Sequence, residues 1–205
     1  MACLLKVLSQ NEVNELYELF GYLVSMLDKY AIPYACAGGT LLGAIRCKGL
    51  IQWDDDVDIT IERIHIPTIM HLKYIFTDGN KYEIIKAGKY MKLRYNNVFI
   101  DIFIIDNGIY PQKRWAEYNF KEGEYYPLQE AMFGDIKVKV PHKYIEYLDR
   151  TFPEWGSVAH IYNHKTKDKQ KMTLTMDMRL PYLPNQNEVD TSTVRTLSSC
   201  GLTSI

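Results

Sequence analysis

In the run Gln52-Trp53-Asp54-Asp55-Asp56-Val57-Asp58-Ile59-Thr60-Ile61, Val57, Ile59 and Ile61 alternate with Asp56, Asp58 and Thr60, the period-two pattern of a strand. On a strand, residues two apart share one face at about 6.5–7 Å, so Asp56 and Asp58 present two carboxylates side by side. Two such groups repel each other and are costly to bury without a partner. A divalent cation is the natural partner, and an all-oxygen ligand set selects Mg²⁺ or Mn²⁺ over zinc. The plainer reading is a solvated acidic turn, which Val57, Ile59 and Ile61 weaken by anchoring the same segment in a core. A calcium-binding loop also begins with alternating aspartates, but it needs Gly and later Glu where Ile59 and His65 stand here.

Upstream, Gly38-Gly39-Thr40 follows a short apolar run and opens a helical pattern. A strand-to-helix junction of that kind offers free backbone N–H groups to an anion, and glycine lets a phosphate come close. It is not a P-loop, because Ala44-Ile45 follow Gly43 where Lys and Ser or Thr are required. A phosphate cradle beside a carboxylate pair points to a nucleotide phosphate held with a metal. Asp101 is a third acid, flanked on both sides by apolar residues in Val98-Phe99-Ile100-Asp101-Ile102-Phe103-Ile104-Ile105. It either completes the metal site or points to water from an edge strand. Arg46, Lys92 and Arg94 are candidates for binding phosphate oxygens. His160 and His164 lack the third ligand a zinc site needs.

These residues require elements to hold them. Ser9 and Glu12 have the spacing of a capping box, and Val13, Leu16, Tyr17, Phe20, Leu23, Val24 and Leu27 then form the stripe of an amphipathic helix ending before Pro33. Strands are expected over residues 34–37, over the segment carrying Asp56 to Ile61, and over 82–85, 90–95, 98–105 and 136–140. The central acidic strand should have one oily and one acidic face. Helices are expected over residues 40–45, 67–76, 112–121 and 142–150. From about residue 163 the composition shifts: Lys165, Lys167, Lys169 and Lys171 are spaced by twos, and residues 182–205 hold eight Ser or Thr. The expected organisation is one domain over residues 1–165, then a basic segment and loose tail over 166–205.

Composition narrows the function classes. The 205 residues are 47% hydrophobic and 24% charged, enough for a sizeable core. A formal net charge of -1 argues against nucleic acid as the main partner. Four cysteines match neither a zinc spacing nor a disulfide framework, and the first ten residues lack a signal-like apolar run. A cytoplasmic setting is therefore expected. No apolar stretch reaches the roughly 18 residues of a membrane span, so any membrane contact is expected to be peripheral. The 16 tyrosines fit amphipathic packing, or else stacking against a sugar-like ligand.

The stretch GGTLLGAIRCKGLIQWDDDVDI, residues 38–59, resembles the signature of the LicD family, which also covers fukutin and fukutin-related protein. Further similarity lies in FIDIFIID (99–106), PLQEAMFGDIKVKVP (127–141) and EYLDRTFPEW (146–155), so the resemblance spans about residues 10–165. It departs at Gln52, where the family usually has Pro, and in the spacing after Tyr147. The resemblance implies an α/β (α+β) nucleotidyltransferase-like core, a small mixed β-sheet flanked by helices. It implies Asp56 and Asp58 as the metal-holding pair, Asp101 as the third carboxylate, and Gly38, Gly39 and Thr40 as the phosphate-facing turn. Arg46 and Asp54 join the expected substrate-binding set. The implied reaction moves an alcohol phosphate from a CDP-activated donor to a glycan hydroxyl with Mg²⁺ or Mn²⁺. The alternatives are an inactive nucleotide-sugar or glycan-binding module, and nucleotidyl transfer to another acceptor.

Overall fold

The computed structural model describes residues 8–87, 90–111, 118–162 and 169–185. Its first element is helix α1, Gln10–Lys29, which opens on the expected reciprocal cap: Ser9 accepts from the Glu12 backbone N–H, and Glu12 reaches back to the Ser9 backbone N–H. Its buried stripe holds every residue expected from the periodicity, with Leu19 in addition.

The central sheet runs in the order β1-β2-β5-β4-β3, formed by Tyr34–Cys36, Val57–Glu62, Val98–Ile105, Tyr90–Tyr95 and Glu83–Ala87 respectively. Only β2 and β5 are parallel neighbours; the other pairings are antiparallel, which makes the sheet mixed. Helix α1 lies against β4 and β5. Val57, Ile59, Ile61, Met91, Leu93, Ile100 and Ile102 are all buried in the core that it covers. Helix α2, Gly38–Arg46, packs on β1 and β2.

The other face of β2 is not acidic along its length. Asp56 precedes the strand, and Thr60 is fully buried, with its hydroxyl bonded to Ala35 O at 3.1 Å and to the Tyr125 hydroxyl at 2.8 Å. The acidic face is confined to one end because an aromatic layer of Phe120, Tyr125 and Tyr147 closes the rest; Phe120 and Tyr147 stack at 4.3 Å. Amphipathic packing thus accounts for Tyr17, Tyr34, Tyr82, Tyr110, Tyr125 and Tyr147, all buried.

The helix expected over residues 67–76 is divided into α3, Ile66–His71, and α4, Lys73–Phe76, at Leu72 (φ -92°, ψ 21°). The Tyr22 hydroxyl of α1 donates to Ile75 O at 2.5 Å and anchors the second piece. Two hairpins complete the fold: β6, Gln129–Phe133, with β7, Ile136–Val140, and β8, Val158–Tyr162, with β9, Lys169–Thr173. Helix α5, Tyr144–Thr151, lies between them in sequence. Of the helix expected over 112–121, residues 112–117 lie outside the described residues and 118–121 contain no α-helix. Lys165 and Lys167 also lie outside them, as do His164 and residues 186–205.

Packing continues well past residue 165. Strand β9 pairs with β8, and Leu174 and Met178 are buried with Ala159 and Ile161. Tyr182 N donates to Leu50 O at 2.8 Å. The loose segment expected from Tyr182 therefore does not begin there: these residues find backbone partners on the domain, which Ser/Thr-rich composition does not reveal.

Candidate active site

The parallel register of β2 and β5 sets Asp58 directly opposite Asp101. Asp56, one step before β2, joins them, and one carboxylate oxygen from each lies within 4.8 Å of the others. Asp54, Asp55 and Asp56 form a second, overlapping group of the same kind. The three acids singled out from sequence are thus brought to one place by a pairing between strands that are far apart in the chain.

Their environment raises the energy of their charged forms. Burial, then the neighbouring carboxylates, pushes Asp56 and Asp58 well above the usual carboxylate range. Burial first, and Asp55 second, pushes Asp54 up to about 7, with Arg46 opposing the shift. A group of carboxylates that suppresses its own ionisation is one that a divalent cation would relieve, and its all-oxygen donors suit Mg²⁺ or Mn²⁺. The residues present therefore fit such an ion.

A side chain at either Gly38 or Gly39 would crowd an aspartate. A Cβ on Gly38, whose φ is +51°, would stand 2.6 Å from Asp58 Oδ2, and a Cβ on Gly39 would stand 2.1 Å from Asp54 Oδ2. The Gly-Gly turn is thus needed to let the carboxylates approach the start of α2. Thr40 has a different place from the one expected. It is 2% exposed, and its Oγ1 accepts a hydrogen bond from Asp58 N at 2.7 Å. Its hydroxyl ties α2 to β2 and orients Asp58 instead of facing a phosphate.

Arg46 closes one side. Its Nη1 donates to Trp155 O at 3.4 Å and its guanidinium lies 5.5 Å from the Trp53 ring centroid, while its buried Nε has no hydrogen-bond partner among the described residues. Burial lowers its pKa, with nearby Asp54 opposing. Lys92 closes another side: it stands opposite Asp101 on β4, and its Nζ is 2.6 Å from Asp101 Oδ1. Arg94 is exposed and donates to Asn96 O. The His160 ring is paired with Pro153 O at 2.8 Å, and its backbone O accepts from Trp53 Nε1 at 3.4 Å. Trp53 and Trp155 lie within the motifs quoted from sequence but are not singled out there as site residues.

A sequence model described as the LicD/FKTN/FKRP nucleotidyltransferase domain matches residues 31–143, which hold Gly38, Asp54, Asp56, Asp58, Lys92 and Asp101. The chain belongs to the LicD family. An uncharacterized protein of Rickettsia prowazekii is 31% identical over 201 residues, covering 86% of this chain and 72% of that protein. The lipopolysaccharide cholinephosphotransferase LicD of Haemophilus influenzae is 47% identical over 45 residues, 22% of this chain and 17% of the other. The human ribitol 5-phosphate transferase FKRP is 26% identical over 155 residues, 68% of this chain. The chain thus spans 31% of the length of human FKRP and 61% of an uncharacterized relative from Rickettsia typhi. Among solved structures, the antibiotic-resistance factor ANT(2″)-Ia matches over 69% of this chain and 76% of its own, at 13% identity and a TM-score of 0.47. The fold of this LicD-family chain is mixed α/β, with a mixed sheet flanked by helices. No helix among the described residues is long and apolar enough to cross a membrane.

Proposed function

We propose that this LicD-family chain is a metal-dependent phosphotransferase that moves an alcohol phosphate, of the phosphocholine or polyol phosphate type, from a CDP-activated donor to a glycan hydroxyl. The observation that carries the reading is the convergence of Asp56, Asp58 and Asp101 to within 4.8 Å beside the start of α2. The names of two relatives, a cholinephosphotransferase and a ribitol 5-phosphate transferase, support an alcohol phosphate as the transferred group.

Mg²⁺ or Mn²⁺ bound by the three aspartates would supply neutralisation of the charge that develops on the transferring phosphoryl group. The chain's own residues do the rest. Gly38 and Gly39 keep the start of α2 open for close approach. Thr40 fixes Asp58 through its backbone N–H. Arg46, with its Nε unspent, faces the diphosphate. Asp101 takes the proton of the acceptor hydroxyl as the new P–O bond forms and the bond to CMP breaks.

The test incubates the protein with a panel of CDP-alcohols and Mn²⁺ and measures CMP release with and without a glycan acceptor. Asp101→Asn keeps the side chain's shape, so it should fold and bind the donor within about tenfold, yet lose turnover by roughly a hundredfold or more. Wild-type turnover in that variant would remove Asp101 from the mechanism. Donor binding by wild type without CMP release would favour the binding-module reading, which the presence of all three acids speaks against.

A further inference from the structure

Lys92 is the cation built into the carboxylate centre. Strand register puts it across from Asp101, and its Nζ lies 2.6 Å from Asp101 Oδ1. The ammonium is also 3.6 Å from the Phe99 ring centroid and 5.8 Å from that of Tyr90, so aromatic faces hold it from two sides. The lysine side chain is 26% exposed and the aspartate side chain 16%. A pair this shielded, on adjacent antiparallel strands, is a fixed part of the site and not a mobile surface contact. Its charge reaches further, since Lys92 also favours the ionised forms of Asp56 and Asp58.

We propose that Lys92 occupies the flank of Asp101 that a second cation would take, so that the protein without donor binds one divalent cation instead of two. This rests on the metal-binding reading above. Lys92 sets one fixed positive charge at the Asp101 end of the carboxylate cluster, so a second divalent ion on that flank would meet an ammonium instead of an open carboxylate. Asp101 Oδ1 faces the ammonium as an ion pair at 2.6 Å, outside hydrogen-bonding geometry, so that flank of Asp101 is taken by a fixed positive charge while Asp56, Asp58 and Asp101 share the ion. In this arrangement Lys92 is a positioning residue: it holds Asp101 in place and sets how much charge the free site carries. A further cation would then enter only with the negative charge of the donor's phosphates.

The experiment counts Mn²⁺ bound per chain in donor-free protein, by the loss of the free-ion electron paramagnetic resonance signal on titration. Wild type should bind about one ion, and Lys92→Met, which keeps the stem over Phe99 but removes the charge, about two. A double variant, Lys92→Met with Asp101→Asn, should return to about one, and Lys92→Gln, whose amide can still donate to Asp101, should bind about two and carries the test should Lys92→Met fail to fold. Lys92→Arg should stay at about one. Two ions in wild type, or one in both wild type and Lys92→Met, would overturn the role of Lys92 while leaving the metal site standing. No binding by wild type would overturn the metal reading and this inference together.

Discussion

Asp54 is held at about 7, against an ordinary value of 3.8, because burial and Asp55 oppose its charge. Asp56 and Asp58 are shifted in the same direction for the same reasons. For an acid whose pKa rises on folding, the folded state binds the proton more tightly, so stability falls as pH rises from the unfolded value through the folded one. For Asp54 that window runs from 3.8 to about 7. The acids shifted the other way, Glu18, Asp106, Glu124 and Glu130, are held low chiefly by hydrogen bonds from Lys81, Arg63, Arg150 and Lys139. Their contribution is fully present above their ordinary values of 3.8 or 4.5 and is lost only as pH drops below those, so it does not mask the window. The melting temperature of the protein in a chelator should therefore fall between about pH 5 and pH 7. Asp54→Asn should flatten that fall and melt above wild type at the alkaline end. A wild-type melting temperature that rises across the range, or an Asn variant that keeps the full slope, would contradict the assigned crowding of charge.

Helix α2 carries the turn against which these aspartates lie, and its position depends on Gly43. Cys47 N and Gly49 N both donate to Gly43 O, and a Cβ at Gly43 would stand 2.4 Å from Gly49 O. The loop after α2 is thereby folded back on the helix, further held by the Tyr17 hydroxyl, which accepts from Leu50 N at 3.0 Å, and it delivers Asp54 to the site. Intrinsic propensity alone makes Gly→Ala in a helix favourable by roughly 1 kcal/mol, but a backbone carbonyl cannot swing aside as a side chain can. Gly43→Ala should therefore destabilise by about 2 kcal/mol, or roughly 4–8 °C in melting temperature for a chain of this size. Gly21→Ala in α1 is the control: its Cβ would meet Ile136 Cδ1 at an ordinary 3.6 Å, so it should be neutral or stabilising. A stabilised Gly43→Ala would mean that the loop moves freely and does not set the site. At this scale the sequence was most legible where a pattern is local. The α1 stripe and cap, and the alternation in β4, β5 and β7, match the structure at both ends or within a residue. Strand β6 was not read, because Gln129, Glu130 and Met132 are exposed and only Phe133 is buried, which leaves no alternation to detect. Lys169 and Lys171, spaced by twos, lie in β9, where that spacing is a strand signal. The facing of Asp58 and Asp101, the pairing of Lys92 with Asp101 and the structural use of Thr40 come from contacts between distant segments, which spacing does not encode.

At the scale of the molecule, the described C-terminal residues act as a strap between parts that are far apart in sequence. Gln52 Nε2 donates to Asp177 O at 2.7 Å and to Leu180 O at 3.0 Å, beside the aspartate run. Arg179 donates to Gly156 O at 2.7 Å, joining the β8–β9 hairpin. Beyond Leu180 the strap reaches the first helix: Tyr182 N bonds Leu50 O, Leu183 O accepts from Gln10 Nε2 at 3.0 Å, and Asn185 N donates to Asn14 Oδ1 at 2.8 Å. Pro181 and Leu183 also close over Gly49, where a Cβ would stand 2.8 and 3.4 Å from their side chains. Each of these hydrogen bonds contributes about 1 kcal/mol net, and the apolar contacts of Tyr182 and Leu183 with the core add about 1–2 kcal/mol more. The entropy of ordering residues 181–185 offsets most of this, so what the strap adds is a small net term. Two shortened chains resolve it, one ending at Leu180 and one at Asn185, the second keeping every contact named. The chain ending at Leu180 should melt about 3–6 °C lower, for a loss of roughly 1–2 kcal/mol. It should also take up proton exchange faster at the Leu50 amide, whose partner Tyr17 hydroxyl is covered by the same strap. Equal melting temperatures with unchanged exchange at Leu50 would show that residues 181–185 rest on the domain without holding it, and that the loop delivering Asp54 is fixed by α1 and α2 alone.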